Sequence, residues 1–136
     1  MSAVMSRPAF DSSDSIHTST VDELDAAIGR LVRQMNAECC RMLVLVREFD
    51  NRFGWKKWNY KTCAEWLAWR SEIGLSAARE KVRTAHALRV LPAISTAFAE
   101  GRLSYSKVRA LTRVAHMHDE DLLIAYALST TAENVE

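Results

Sequence analysis

Apolar residues recur every three or four positions through the first half of the chain, at Leu24, Ile28, Leu31, Met35, Cys39, Met42, Val46, Phe49 and Phe53. At 3.6 residues per turn such steps stay on one stripe, so the spacing predicts a single amphipathic helix reaching about Arg52. Thr20 and Glu23 mark its start. They stand at the capping-box spacing, in which hydroxyl and carboxylate each satisfy a backbone N–H that has no partner within the helix. A helix near thirty residues spans about 45 Å, longer than a compact domain of this size requires, and the overhang needs a partner. Ile28, Met35, Met42 and Phe49 lie seven apart, the interval of a helix-pairing seam. These four are candidate oligomerisation residues, and a homodimer is one expectation. The other is that the stripe forms the spine of the domain and is covered by later helices.

Beyond Gly54 the periodic segments are short. Trp55 to Lys61 reads as an aromatic and basic connector, holding Trp55, Lys56, Lys57, Trp58, Tyr60 and Lys61. Thr62 with Glu65 forms a second capping-box pattern and opens a helix over about 63–73, with Trp66, Leu67 and Ile73 inward and Gly74 as a left-handed C-cap. Ser76 is expected to cap a helix over about 77–90. Pro92 suits the first turn of another helix, ending near Glu100 and closed by Gly101. Ser104 caps a helix over about 105–116, and Asp119, Glu120 and Asp121 suit the positive N-terminal end of a last one over about 119–128. No strand pattern occurs. The expected fold is all-α: one long N-terminal helix followed by about five short helices with helix-turn-helix-like packing.

The first nineteen residues are rich in Ser and Thr with little to pack, so residues 1–19 read as a disordered tail and 20–136 as one helical domain. Thr130 and Glu133 repeat the capping-box spacing, yet Glu136 follows three residues later, too soon for a helix to nucleate. The domain is therefore expected to be truncated at its C-terminal end.

Composition changes this picture mainly through charge. The net charge of the 136 residues is only +1, but its distribution is uneven. Residues 1–54 hold 6 Lys/Arg against 8 Asp/Glu, residues 55–116 hold 12 against 4, and residues 117–136 hold none against 5. A central excess of eight positive charges points to a polyanionic partner. Three cysteines, Cys39, Cys40 and Cys63, are an odd number with two adjacent, which suits small core residues in a reducing compartment better than a disulfide framework. No apolar run approaches the ~20 residues of a membrane span, and the start lacks the features of a signal peptide. A soluble, cytoplasmic protein is expected.

The basic residues fall on helix faces. In the segment from Tyr105, the side chains of Tyr105, Arg109, Arg113 and His116 share one side, opposite Val108, Leu111, Val114 and Ala115. In the segment from Ala77, Arg79, Arg83 and His86 share a strip opposite Ala78, Val82 and Ala85. Short helices joined by tight turns are the makings of a helix-turn-helix, and guanidinium forks match phosphate and guanine edges. DNA is thus the expected partner, with Arg79, Arg83, His86, Arg102, Tyr105, Lys107, Arg109 and Arg113 as candidate contacts and Arg109 and Arg113 leading. Trp55 to Trp58 could form a platform for single strands. Tryptophans in the core and lysines in water are the favoured alternative. No catalytic residue is evident. His116, His118 and Asp119 lack a second ligand pair for a metal, and no phosphate loop, nucleophile elbow or paired-cysteine zinc motif is present, so no cofactor, metal or small-molecule substrate is expected.

In order, Trp66-Leu67, Gly74-Leu75-Ser76, Ala85-His86-Ala87-Leu88, Leu91-Pro92 and the run Gly101-Arg102-Leu103-Ser104-Tyr105-Ser106-Lys107-Val108 resemble the 13E12 repeat family, also called domain of unknown function 222. The resemblance covers roughly residues 24 to 136. It implies a helical region that stands before a C-terminal HNH endonuclease domain. Residues from Leu75 to Leu111 are also similar to the helix-turn-helix of ParB-type partition proteins. Both likenesses imply DNA. The His-Asn-His motif of such nucleases has no counterpart among His17, His86, His116 and His118, so cleavage would belong to another part of a longer protein.

Overall fold

The computed structural model describes residues 13–130. Among them every regular element is helical: α1 (Ser13–Thr18), α2 (Val21–Asn51), α3 (Cys63–Ser71), α4 (Leu75–Ala87), α5 (Pro92–Ala99), α6 (Tyr105–Val114) and α7 (Glu120–Leu128), with 3-10 turns at Gly54–Trp58, Leu88–Val90 and Ala115–Met117. The all-α expectation holds, and the long first helix is as expected. Of the expected tail, residues 1–12 lie outside the described residues, and Ser13–Thr18 is helical rather than irregular. The spacing at Thr130 also runs outside them. No described helix is long and apolar enough to cross a membrane.

The local signals at helix starts mostly act as read. Thr20 Oγ1 accepts from the Glu23 N–H at 3.1 Å, and Glu23 Oε1 accepts from the Thr20 N–H at 2.8 Å. Thr62 accepts from Glu65 N–H, but Glu65 reaches back to the Lys61 N–H rather than to Thr62. Ser104 caps α6 through Lys107 N–H, and Asp119 caps α7. Two expectations fail. Gly74 is extended, with φ −65°, and is the N-cap of α4, while Glu72 takes the left-handed position after α3 at φ 57°. Ser76 therefore lies inside the first turn of α4 and does not cap it.

α2 is the spine. Cys40 and Leu43 enter the larger core, where Phe98, Ile94, Leu103, Val108 and Leu111 are fully buried and Leu123 and Ile124 close the far side. Val46 enters a smaller core with Cys63, Ala64, Leu67 and Ala78, against which Phe49, Trp66 and Val82 pack. Met42 touches both. Gly101 follows α5 at φ 79°, a conformation that favours glycine, and a side chain there would strike the Arg33 carbonyl at 2.4 Å. This turn lies flush against the middle of α2, where Asn36 Nδ2 donates to the Gly101 carbonyl at 3.2 Å.

Several helix ends are completed by distant residues. Glu120 on α7 accepts from Ile94 N–H in the first turn of α5 at 2.8 Å, Arg47 on α2 donates to the Ala85 carbonyl near the end of α4 at 2.8 Å, and Lys107 on α6 donates to the Ala127 carbonyl at the end of α7. Each group supplies a partner to a backbone atom in the first or last turn of a helix, with the charge sign that the helix end favours.

Candidate nucleic-acid interface

α3 and α4 are joined by only Glu72, Ile73 and Gly74, and the left-handed Glu72 turns the chain sharply enough for the two helices to pack on each other. Ala78 and Ala85 are buried and Val82 is half-buried, so small side chains let α4 lie close to its neighbours. Its first turns present Ser76, Ala77 and Arg79 to solvent. α6 packs beside α4, with Val108, Leu111 and Ala115 inward and Val114 half-buried, as its periodicity requires.

Where α4 and α6 meet, one carboxylate gathers three arginines. Arg83 clasps Glu80 through two contacts of 3.1 Å, while Arg109 and Arg113 reach Glu80 Oε1 at 3.3 Å and 2.6 Å. Arg83 also donates to Thr112 Oγ1 at 3.2 Å and to the Arg109 carbonyl at 3.4 Å, tying the two helices together. The Arg83 hydrogen bonds are the main reason the Glu80 carboxyl is held down to about 2. Partial burial opposes them, and the charges of Arg83 and Arg113 and the Arg109 hydrogen bond assist. Glu80 therefore stays ionised and cancels one of the three guanidinium charges, leaving an excess of two in an ordered array.

Lys81 extends the array, its ammonium 3.8 Å from the centre of the Tyr105 ring. Burial pushes the Tyr105 phenol above its ordinary value. Arg79 is exposed and lines a groove with Lys61, Asp50 and Trp55. The other expected contacts are engaged elsewhere. His86 Nε2 lies 2.7 Å from Asp50 Oδ2 on α2, Arg102 pairs with its near neighbour Glu100, and Lys107 is occupied at the end of α7. Thus Arg83, Arg109, Arg113 and Tyr105 line the α4–α6 side, Arg79 faces the neighbouring groove beside α3 and the aromatic connector, and Arg102 and Lys107 act in closing turns and helix ends.

The aromatic connector is divided. Trp55 is half-buried and donates from Nε1 to Asp50 Oδ1 at 2.9 Å, which fits the core expectation, but Trp58 remains 46% exposed. Trp58 leans on Phe49 and Trp66, which stack with centroids 4.0 Å apart. Lys56 and Lys57 lie in solvent with their ammonium groups over the Phe53 and Trp58 rings. The cysteines are free thiols, as expected for core residues. Burial, aided by the Asp50 carboxylate, pushes Cys63 up to about 12, which leaves it an inert thiol. Among the described residues no group of three His, Cys, Asp or Glu side chains could hold a metal ion.

Sequence reasoning found the arginines and missed their organiser. Glu80 stands three residues before Arg83, an ordinary pairing distance on a helix. Nothing local says that Arg109 and Arg113, on another helix, converge on the same carboxylate.

An all-helical unit with a short-turn helix pair and a basic side is the class these features define. The chain belongs to the family described as domain of unknown function (DUF222), whose profile matches residues 22–135. No curated protein and no solved structure matches it.

Proposed function

We propose that this helical domain docks on DNA through the side formed by α4 and α6, as the targeting region of a longer protein related to the 13E12 repeat family and its HNH endonucleases, with any cleavage carried out elsewhere. The observation that carries the reading is the convergence of Arg83, Arg109 and Arg113 on Glu80. Three guanidinium groups pre-ordered around one carboxylate retain a net positive charge and lose little side-chain freedom when they meet phosphates. α4 follows α3 in the order that lets a second helix enter a major groove with its N-terminal residues, where Arg79 stands.

Fluorescence anisotropy of labelled duplex DNA at two salt concentrations tests this. Binding should weaken steeply with salt, and Arg79→Ala with Arg113→Ala should flatten the logarithmic salt slope by about two, one for each phosphate that is no longer neutralised. These two side chains are chosen because both are exposed, so circular dichroism should show the fold intact. Absence of binding at low salt, or an unchanged slope in the folded double variant, refutes the reading.

A further inference from the structure

The polar outer strip of α4 has a groove on each side. Drawn at about 100° per residue, Arg79 and Glu80 bound this strip, with Arg83 and Ser76 between them, while Ala78 and Ala85 hold the opposite side in the core. The groove on the Arg79 edge, about 400 Å³, runs between α4, the start of α3 and the aromatic connector, and Trp55, Lys61 and Val82 line it. The groove on the Glu80 edge, about 360 Å³, lies between α4 and α6 and is lined by Ser76, Lys81, Tyr105 and Arg109. Both edges present cations. On the α6 edge Glu80 is shared by Arg83, Arg109 and Arg113, and Lys81 stands beside them. On the connector edge the carboxylates are turned to internal donors: Asp50 accepts from Trp55 Nε1 at 2.9 Å and meets His86 Nε2 at 2.7 Å, and Glu65 accepts the Lys61 N–H at 3.2 Å. The Lys61 ammonium and the Arg79 guanidinium belong to exposed residues and enter no ion pair among the described residues.

We infer that the ligand of the docking surface is B-form duplex DNA with α4 as the ridge between its strands, one backbone taken by Lys61 and Arg79 and the other by Arg113 and its neighbours on α6. This rests on the docking reading above and narrows its ligand. An α-helix with its side chains is about 10–12 Å across, and the major groove of B-DNA is about 12 Å wide with a phosphate chain on each lip. Cations on both sides of one helix are therefore spaced for two strands, whereas a single strand uses one side at a time. The A-form major groove of duplex RNA is too deep and narrow for side chains to read, so an RNA duplex does not seat the ridge. Ser76, small and exposed in the first turn between the two edges, leaves room for base edges to approach. The seven-residue seam expected on α2 offers no comparable case, because the fold divides it: Met42 and Phe49 pack into the cores, while Ile28 and Met35 stay 60% and 68% exposed with nothing in the structure to say what covers them.

Anisotropy titrations with a labelled DNA duplex, one of its single strands and an RNA duplex of the same length, each over a series of salt concentrations, test this. Duplex DNA should bind at least about tenfold more tightly than either of the others. Lys61→Ala with Arg79→Ala should flatten the logarithmic salt slope on duplex DNA by about two, Arg113→Ala by about one, and the three together by about three, because the two sides hold different strands. The Lys61→Ala, Arg79→Ala pair should cost the single strand little, since the α6 side remains to hold it. All three residues are exposed, so circular dichroism should be unchanged. A duplex slope that responds to Arg113→Ala but not to the connector-side pair overturns the two-strand arrangement and leaves the docking reading standing. Equal affinity for duplex and single strand, or for DNA and RNA duplexes, does the same, as does a loss on the single strand as large as that on the duplex. No binding of any of the three at low salt overturns both.

Discussion

Two surfaces stand out in the amino-acid sequence as available to partners, and folding treats them in opposite ways. The apolar stripe of α2 finds intramolecular cover only over its second half, and its first half stays open. The basic strips of α4 and α6, by contrast, are drawn together around Glu80, which cancels one of three guanidinium charges and holds all three in place. An apolar stripe can be satisfied by any apolar neighbour within reach, and beyond Asn36 the domain supplies one. A run of arginines repels itself and recruits whatever carboxylate lies nearby. Residue counts along a segment therefore give its net charge but not how that charge is arranged on the surface.

The sharpest way to break the comparison is to truncate matched leucines on α2. Leu43→Ala, at a fully buried site, should destabilise the domain by about 2–5 kcal/mol in urea unfolding. Leu31→Ala, on the open face, should change the stability of the dilute chain by less than about 0.5 kcal/mol. Equal losses would mean that the first half of the stripe is covered after all.

Gly101→Ala probes the junction between the covered and open halves. Its left-handed φ and the Arg33 carbonyl 2.4 Å from the added carbon should together cost about 2 kcal/mol or more, measured by the same unfolding experiment. A neutral substitution would show that α2 is not seated on this turn.

Glu80→Gln tests the basic side and should cost about 1–3 kcal/mol, because three guanidinium groups lose their shared acceptor charge. The pH dependence follows from a carboxyl whose folded value is depressed. Its contribution is complete above the ordinary carboxylate value of 4.5 and is lost as pH falls toward about 2. Thermal melts of the variant should therefore be flatter than those of the parent across that acid window. At neutral pH the same variant should bind DNA with a steeper salt dependence, since one more positive charge is left uncompensated.

The smallest expected effect compares two serines. Ser104→Ala removes the hydroxyl that accepts from Lys107 N–H and should cost about 1 kcal/mol, whereas Ser76→Ala, within the first turn of α4 and not capping it, should be nearly neutral. The contrast is read from paired melts.

What the linear chain determined by itself was what neighbours in sequence can determine: six of the seven described helices, the caps at Thr20, Thr62 and Ser104, and the inward faces of α4 and α6. Periodicity and capping act within a few residues, so they are written locally. The exceptions, Gly74 and Ser76, arise because Glu72 tolerates the left-handed turn and shifts the start of α4 by two residues. Only the tertiary structure decided that Glu120 completes α5, that Lys107 serves α7 rather than a partner, that His86 meets Asp50, and that Glu80 gathers arginines from two helices. It also decided where the α2 stripe passes from core to open surface. Those outcomes depend on which helices lie side by side, and the position of a neighbour from a distant part of the chain is set by the packing of the whole core rather than by the spacing of residues along one helix.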